Sequence, residues 1–284
     1  MLILCHSDYK NSDVHVAITG VFILWCSEAM PYQSQSIFKN KVVFISGAAS
    51  GIGKATALAY AQQGAKLALL DINEYALVSL EESLDCEVLS YAGDIADEAF
   101  IIDVFAAINN QWQRIDIAFN NAGFGVMASV IDCTVEQWDQ VQNINLKGTW
   151  LCLREQLKIM HVQGFGSIVN NASVLGLTAA KGADAPYCAA KHGVVGLTKM
   201  AALESAEYGV RVNCICPASV DTPMLATMPD DMKAHLAKLQ PIGRVARCEE
   251  IVSSVLWLSS EQASYITGVA LPLDGGTLAG INLV

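Results

Sequence analysis

From Lys41 onward, short apolar runs rich in β-branched residues alternate with longer segments of helical periodicity. Such alternation predicts a parallel sheet, because each helix carries the chain back across the sheet to the start of the next strand. Strands are predicted at 42–46, 66–70, 87–90, 115–119, 166–170, 210–216 and 269–273. We therefore expect an α/β fold: a three-layer, doubly wound parallel sheet of the Rossmann type, in a single domain.

The segments between these strands are predicted to be helical. Helices are expected after the first glycines up to residue 63, and at 97–111, 135–162, 185–208 and 249–259. Thr134 and Gln137 have the spacing of a capping box at the start of the longest helix. Residues 218–240 contain prolines and methionines without firm periodicity, and we interpret them as a mobile substrate lid.

A glycine-rich run at 46–53 stands where the first predicted strand passes into the first predicted helix. Its glycines allow a tight turn and a close approach of the backbone to a ligand. The free amides of the following helix then face an anion, so the run predicts a site for the pyrophosphate of a dinucleotide. The residues expected to form it are Gly47, Ser50, Gly51, Ile52 and Gly53.

Asp71 ends the second predicted strand. An acidic residue at this place binds the hydroxyls of the adenosine ribose, and its charge repels a 2′-phosphate. No arginine follows Asp71, and Ser50 offers no basic side chain. NAD is therefore the expected cofactor, with NADP less favoured.

Tyr187 and Lys191 are four residues apart in a predicted helix and so share one face. An ammonium group near a phenol stabilises the phenolate, which lowers the tyrosine pKa from about 10. Proton transfer at neutral pH benefits from such a shift. The pair is therefore a candidate acid/base group.

The composition excludes several classes of function. The chain is 53% hydrophobic, enough for a large core, and a formal net charge of −11 argues against binding to nucleic acid or to an anionic membrane surface. No His, Cys and carboxylate residues have metal-ligand spacing, so no metal is expected. Nine scattered cysteines are interpreted as reduced core residues of a cytoplasmic protein.

Residues 1–37 precede the predicted fold and include an apolar run at 14–25. This run is too short to span a bilayer, which takes about 20 residues, and Asp8 and Asp13 before it make a poor signal peptide. We expect residues 1–37 to be a dispensable extension or sequence that is not translated, with Met30 as the true start. The catalytic domain is expected at 38–284.

Several motifs along residues 38–280 resemble, in order, those of the short-chain dehydrogenase/reductase family. The glycine run resembles its Thr-Gly-x-x-x-Gly-x-Gly motif, with Ser46 in place of threonine. The Asn-Asn-Ala-Gly at 120–123 and the Asp-Gly-Gly at 274–276 match two further motifs. The catalytic tetrad of the family matches Asn145, Ser173, Tyr187 and Lys191.

The resemblance implies a role for each matched residue. Tyr187 would exchange the substrate proton, and Lys191 would lower its pKa and hold the nicotinamide ribose. Ser173 would bind the substrate oxygen, and Asn145 would hold a water that connects Lys191 to solvent. Further cofactor contacts are implied for Asp94, Ile95, Asn121, Ala122, Gly123, Pro217, Val220 and Thr222.

The resemblance also implies a homotetramer, built from the helices at 135–162 and 185–208 and from the C-terminal segment. Ala201, Ala202 and Ala206 would leave a surface of small residues where helices approach closely.

The function expected from these residues is hydride transfer between NAD and a secondary alcohol or ketone. The expected walls of the substrate site are apolar, which suits an alicyclic, steroid-like or other apolar substrate. They are Phe124, Val126, Val174, Leu175, Pro186, Met224, Leu225 and Met228. Two alternatives stay open: a 3-oxoacyl-thioester reductase, which usually prefers NADPH, and a dinucleotide-binding protein without turnover.

Overall fold

Seven strands form one parallel sheet in the computed structural model, which describes residues 37–280. Their spatial order is β3-β2-β1-β4-β5-β6-β7. The strands are β1 (Val42–Ser46), β2 (Lys66–Asp71), β3 (Val88–Ala92), β4 (Ile117–Asn120), β5 (Gly166–Asn171), β6 (Val210–Pro217) and β7 (Ala270–Leu273). The predicted doubly wound fold is confirmed, and the strand ends differ from prediction by a residue or two.

The order of the strands reverses next to β1. The chain runs outward from β1 through β2 to β3, then returns to place β4 on the other side of β1. Ligands of open α/β sheets bind at the carboxyl ends of the strands at such a switch point. The loops after β1 and β4 therefore meet at the expected binding edge.

Helices cover both faces of the sheet. They are α1 (Gly51–Gln62), α2 (Glu74–Glu82), α3 (Glu98–Trp112), α4 (Val135–Gln142), α5 (Thr149–Gln163), α6 (Ala185–Ser205), α7 (Pro223–Ala226), α8 (Asp230–Leu239) and α9 (Cys248–Ser259). Alternate side chains of a strand point to opposite faces. Ile45 accordingly packs in the core under α1 and α9, and Phe44 in the core under α3, α5 and α6.

The predicted long helix at 135–162 is interrupted. A π-helical segment at Asn143–Gly148 separates α4 from α5. The capping box of Thr134 and Gln137 is present as expected. The Asn145 side chain donates to the Val141 carbonyl at 3.0 Å, and Thr149 donates to the Asn145 carbonyl at 2.8 Å. These side-chain bonds accompany the local widening of the helix.

Two segments were predicted incompletely. Helix α2 was not expected at all, although Asn73 caps it with a side-chain bond from the Ala76 amide. Residues 218–240, in which no firm periodicity indicated a helix, contain α7 and α8. Their role as a lid stays a prediction.

The small-residue surface predicted at Ala201, Ala202 and Ala206 is wrong for the first two, and only Ala206 is exposed. Ala201 and Ala202 are 4% and 2% exposed and pack in the core of their own protomer. The cysteine interpretation holds in part, since only Cys152, Cys214 and Cys216 of the seven described thiols are buried. All seven are free.

The expected N-terminal extension lies outside the described residues, apart from Ile37 at its end. Within the described range 37–280, no helix has both the length and the apolar character needed to cross a membrane.

Candidate active site

The loop after β1 is bound to the loop after β4. The Ser46 hydroxyl accepts the amides of Asn121 and Ala122 at 3.0 and 3.2 Å, and the Asn121 side chain donates to the Gly47 carbonyl at 3.0 Å. Gly47 has φ of +61°, and a Cβ there would lie 2.8 Å from the Ala122 Cα. A larger residue at Gly47 would therefore separate the two loops.

The N-terminus of α1 opens directly from this loop. A Cβ on Gly53 would lie 1.9 Å from the Gly47 carbonyl oxygen, so only glycine lets the helix start this close to the turn. Ser50 occupies the N-cap position without a side-chain bond to the helix. The first amides of α1 have no partner within the helix and can hold an anion, as predicted for Gly51 and Ile52.

Asp71 stands beside the glycine loop at the end of β2. Its Oδ2 accepts the Ala49 amide at 2.8 Å, and its Oδ1 accepts the Asn73 amide at 2.9 Å. The carboxylate is thus fixed in position, and each oxygen retains a lone pair for a further donor. This arrangement fits the two hydroxyls of a ribose.

The other residues implied for the cofactor lie along the same edge. Asp94 is exposed and accepts the Ala96 amide at 2.8 Å, and the adjacent Ile95 is buried. Thr222 caps α7 and lies against Gly51, where a Cβ would meet its Cγ2 at 3.3 Å. Pro217 ends β6, and Val220 is buried and bridges to Ala246.

Tyr187 and Lys191 lie in the first turns of α6, beside Ser173 at the end of β5. The Lys191 Nζ is 5.3 Å from the centroid of the Tyr187 ring. It donates to the Asn171 carbonyl at 2.6 Å, a partner that the motif did not indicate. The structure thus brings three members of the predicted tetrad together.

The direction of the Tyr187 shift differs from prediction. Burial raises the pKa of Tyr187 to about 12, a hydrogen bond with Ser173 opposes the rise, and the charge of Asp184 adds to it. Burial also lowers the pKa of Lys191 to about 8. The expectation of a phenol pKa below 10 is therefore wrong here, because burial outweighs the groups that favour the phenolate. The Lys191 ammonium is directed at the Asn171 carbonyl.

Asn145, the fourth member of the tetrad, lies in the π-helical segment, and its side chain lies near the Lys191 ammonium. Its amide donates to the carbonyls of Phe124 and Val141, while its Oδ1 is buried without a hydrogen-bond partner. A Cβ on Gly123 would lie 2.5 Å from that Oδ1 and 3.4 Å from the Lys191 Nζ. Glycine at 123 therefore lets the Asn145 oxygen approach the backbone closely. The unpartnered Oδ1 is the atom that fits the water implied for Asn145.

Two residues of this region were missed in the sequence. Asn171 binds Lys191 through its carbonyl and Asn121 through its side chain at 2.9 Å. Asp184 is a buried carboxylate that accepts the Val126 amide. An aspartate just before a helix suggests a cap, and nothing local shows that it faces another loop. Among residues 37–280, no three His, Cys, Asp or Glu side chains are grouped to hold a metal ion.

Comparison with known proteins gives consistent results. The family model described as enoyl-(acyl carrier protein) reductase matches residues 47–277. Levodione reductase of Leifsonia aquatica is 39% identical over 256 residues, 85% of this chain and 96% of that protein. Cyclohexanol dehydrogenase of Acinetobacter sp. (strain SE19) is 38% identical over 242 residues, 84% and 95% of the two chains.

A second kind of relative matches equally well. The 3-oxoacyl-[acyl-carrier-protein] reductase FabG of Thermotoga maritima is 38% identical over 241 residues, 84% of this chain and 98% of that protein. The crystal structure of levodione reductase superposes with a TM-score of 0.83 at 38% identity, covering 86% of this chain and all of that chain. Because the matches span most of the chain at this identity, the chain belongs to the short-chain dehydrogenase/reductase family of oxidoreductases.

Proposed function

We propose that this protein transfers a hydride between NAD and a secondary alcohol or ketone that is apolar and alicyclic. The observation that carries the proposal is the meeting of Tyr187, Lys191 and Ser173 at the sheet edge that also holds the glycine loop. All four members of the predicted tetrad are present, which argues against a binding protein without turnover.

Each side chain of the tetrad has a separate role in the proton transfer. Ser173 donates a hydrogen bond to the substrate oxygen and so stabilises the charge that develops there. Tyr187 gives a proton to this oxygen in ketone reduction and removes it in alcohol oxidation. When bound, the nicotinamide supplies or accepts the hydride. Lys191 and Asn145, whose buried Oδ1 has no other partner, provide the route by which the Tyr187 proton is exchanged with solvent.

The raised pKa sets an expectation for pH. With a pKa near 12, Tyr187 is protonated at neutral pH and is ready to act as an acid. Ketone reduction should therefore be nearly independent of pH around 7, whereas alcohol oxidation needs the phenolate and should accelerate as the pH rises. Steady-state rates in both directions between pH 6 and about 10 test this expectation.

NAD is the proposed cofactor, supported by Asp71. Its carboxylate is fixed beside the glycine loop by the Ala49 and Asn73 amides, where it suits ribose hydroxyls and opposes a 2′-phosphate. Ser50, the N-cap of α1, adds no positive charge.

The apolar substrate class is supported by the predicted wall residues and by the relatives. Pro186 and Leu225 are buried and Met224 is 48% exposed, and methionine adapts to irregular apolar shapes. Levodione reductase and cyclohexanol dehydrogenase are named for cyclic substrates. A 3-oxoacyl-thioester reductase is the second candidate, favoured by the FabG relative.

We further propose a cytoplasmic homotetramer. The free thiols of the described residues suit a reducing compartment. Helices α4 to α6 expose large apolar side chains, which a monomer would leave in water. These are Trp138, Trp150, Met200 and Leu203, at 43%, 41%, 53% and 76% exposure.

The test is to measure turnover with a panel of candidate substrates. Wild type is incubated with NAD and cyclic secondary alcohols, and with reduced NAD or NADP and cyclic ketones or a 3-oxoacyl thioester, while nicotinamide absorbance is followed. Tyr187→Phe should lower kcat about 10²–10⁴-fold with NAD affinity intact. Tyr265→Phe, at a fully exposed tyrosine, is the matched control and should behave as wild type. Retention of about a tenth of kcat in Tyr187→Phe would refute the assignment, and a preference for the thioester would select the second candidate.

A further inference from the structure

Asp184 is a buried carboxylate outside the predicted tetrad. It lies three residues before Tyr187 at the N-cap position of α6 and is only 4% exposed. Its side chain caps none of the amides of α6. Because a buried carboxylate needs hydrogen-bond donors, the partners of Asp184 reveal what it holds.

Those partners belong to the segment 125–128, which follows the Asn-Asn-Ala-Gly motif. Asp184 Oδ2 accepts the Val126 amide at 2.7 Å, and Oδ1 accepts the Ala128 amide at 3.4 Å. The Ala128 carbonyl accepts the Ala185 amide at 2.9 Å. Three hydrogen bonds thus attach the segment to the start of the helix that carries Tyr187.

The segment 125–128 needs such an attachment. Met127 has φ of +57°, a left-handed conformation that is uncommon for a residue with a side chain. A Cβ on Gly125 would lie 2.6 Å from Asp184 Oδ2 and 3.8 Å from Tyr187 Cδ2. The segment therefore passes directly beside both side chains and forms a wall next to the acid/base group.

The charge of Asp184 also acts on Tyr187. It disfavours the phenolate and contributes to the raised pKa of Tyr187. Another charged group near Tyr187 is Lys191 on α6, whose Nζ is 5.3 Å from the centroid of the Tyr187 ring. Cys216 and Cys214 on β6 act on Lys191 and raise its pKa, against the larger effect of burial. The segment 125–128 and the turn at Val174–Gly176 carry no titratable side chain.

We propose that Asp184 is a positioning residue for the reaction proposed above, on which this inference rests. It holds segment 125–128 as a wall of the substrate site, and its negative charge, close to the Tyr187 ring, opposes formation of the phenolate. Alcohol oxidation, which needs the phenolate, is thereby displaced further toward alkaline pH.

The test is the pH profile of kcat/KM for alcohol oxidation in wild type and Asp184→Asn. The amide has the shape of the carboxylate without its charge. In wild type, kcat/KM for oxidation should increase with pH, and we call this part of the profile the limb. In Asp184→Asn the limb should move to lower pH by about 0.5–1 unit, since a nearby negative charge no longer opposes the phenolate. KM for the alcohol should rise several-fold, because one amide of segment 125–128 loses its acceptor, while the Kd for NAD stays unchanged.

Two further variants separate charge from geometry. Asp184→Glu keeps the charge but misplaces the acceptor, so KM should rise while the limb stays at its wild-type pH. Asp103→Asn removes an equal charge from an exposed position on α3 and should alter neither KM nor the limb. If Asp184→Asn does not fold, Asp184→Ser removes the charge and retains one acceptor, with the same expected shift of the limb.

The outcomes decide the inference. A limb that moves in Asp184→Asn and not in Asp184→Glu supports it. A limb unmoved in the uncharged variants, with unchanged KM, overturns it, as does an equal loss of kcat at every pH. Activity of the wild type toward the panel is measured first, so absence of all turnover refutes the proposed function itself, whereas an active wild type with an unmoved limb refutes this inference alone.

Discussion

Replacement of Asp71 by alanine is the sharpest test of cofactor choice. The carboxylate is fixed beside the glycine loop by two amide bonds of 2.8 and 2.9 Å, so ribose hydroxyls would meet it already in place. A hydrogen bond to a charged group contributes about 1.5–3 kcal/mol. Loss of Asp71 should therefore raise the Kd for NAD about 10–100-fold, at about 1.4 kcal/mol for each factor of ten.

The same change should help NADP. Two unit charges about 4 Å apart repel by about 1 kcal/mol in water and about 4 kcal/mol near a protein surface. Asp71→Ala removes this repulsion, so the preference for NAD should narrow by about two orders of magnitude in kcat/KM. Asp71→Asn keeps an acceptor without the charge, and it should restore part of the NAD affinity without restoring the exclusion of NADP.

The assay compares Kd by titration, and kcat/KM with each cofactor, at one ionic strength. Glu74→Gln, an equal loss of charge at an exposed residue in the first turn of α2, is the control and should leave the NAD/NADP ratio unchanged. A wild type that prefers NADP, or an Asp71→Ala variant with the wild-type ratio, would show that this reasoning is wrong.

The remaining predictions concern the tetrad, Gly123 beside it, assembly and the N-terminus. Ser173→Ala should lower kcat about 10²–10³-fold, and a loss confined to KM would contradict its role at the substrate oxygen. Gly123→Ala places a methyl group 2.5 Å from Asn145 Oδ1, so the Asn145 side chain must shift and kcat should fall; normal turnover would argue against Asn145 as part of the proton route. Light scattering at micromolar concentration should give a tetramer, and a monomer refutes that proposal. A chain that begins at Met30 should fold and keep its activity; loss of soluble protein or of turnover would show that the preceding residues are needed.

Much of the fold and of the cofactor edge was predictable because the signals are local. A β-branched run, the glycines after it and a helix beginning within a few residues specify one strand–turn–helix unit. Asp71 was identified in the same way, since the end of a parallel strand always reaches the carboxyl edge of the sheet. The Tyr187 and Lys191 pair was identified from helical spacing together with the other motifs along the chain.

The sequence predictions were wrong where the structure of a segment depends on which other elements pack against it. Ala201 and Ala202 suggested a helix surface open to another subunit, but the sheet covers them within the protomer. The helix at 135–162 had continuous periodicity, yet the bond from Asn145 to the Phe124 carbonyl accompanies a break in it. The periodicity within one helix does not show which other element of the fold will pack against it.

The sequence by itself determined the sheet, the glycine loop and the place of Asp71, because each depends on residues close together in the chain. The candidate tetrad spans residues 145–191 and came from the resemblance to the family motifs. Only the tertiary structure decided the electrostatics of the acid/base group. Burial and the charge of Asp184 raise the Tyr187 pKa, against an opposing hydrogen bond with Ser173, where spacing alone predicted a fall. Desolvation and charge act through space, so they depend on what surrounds an atom rather than on its neighbours in the chain.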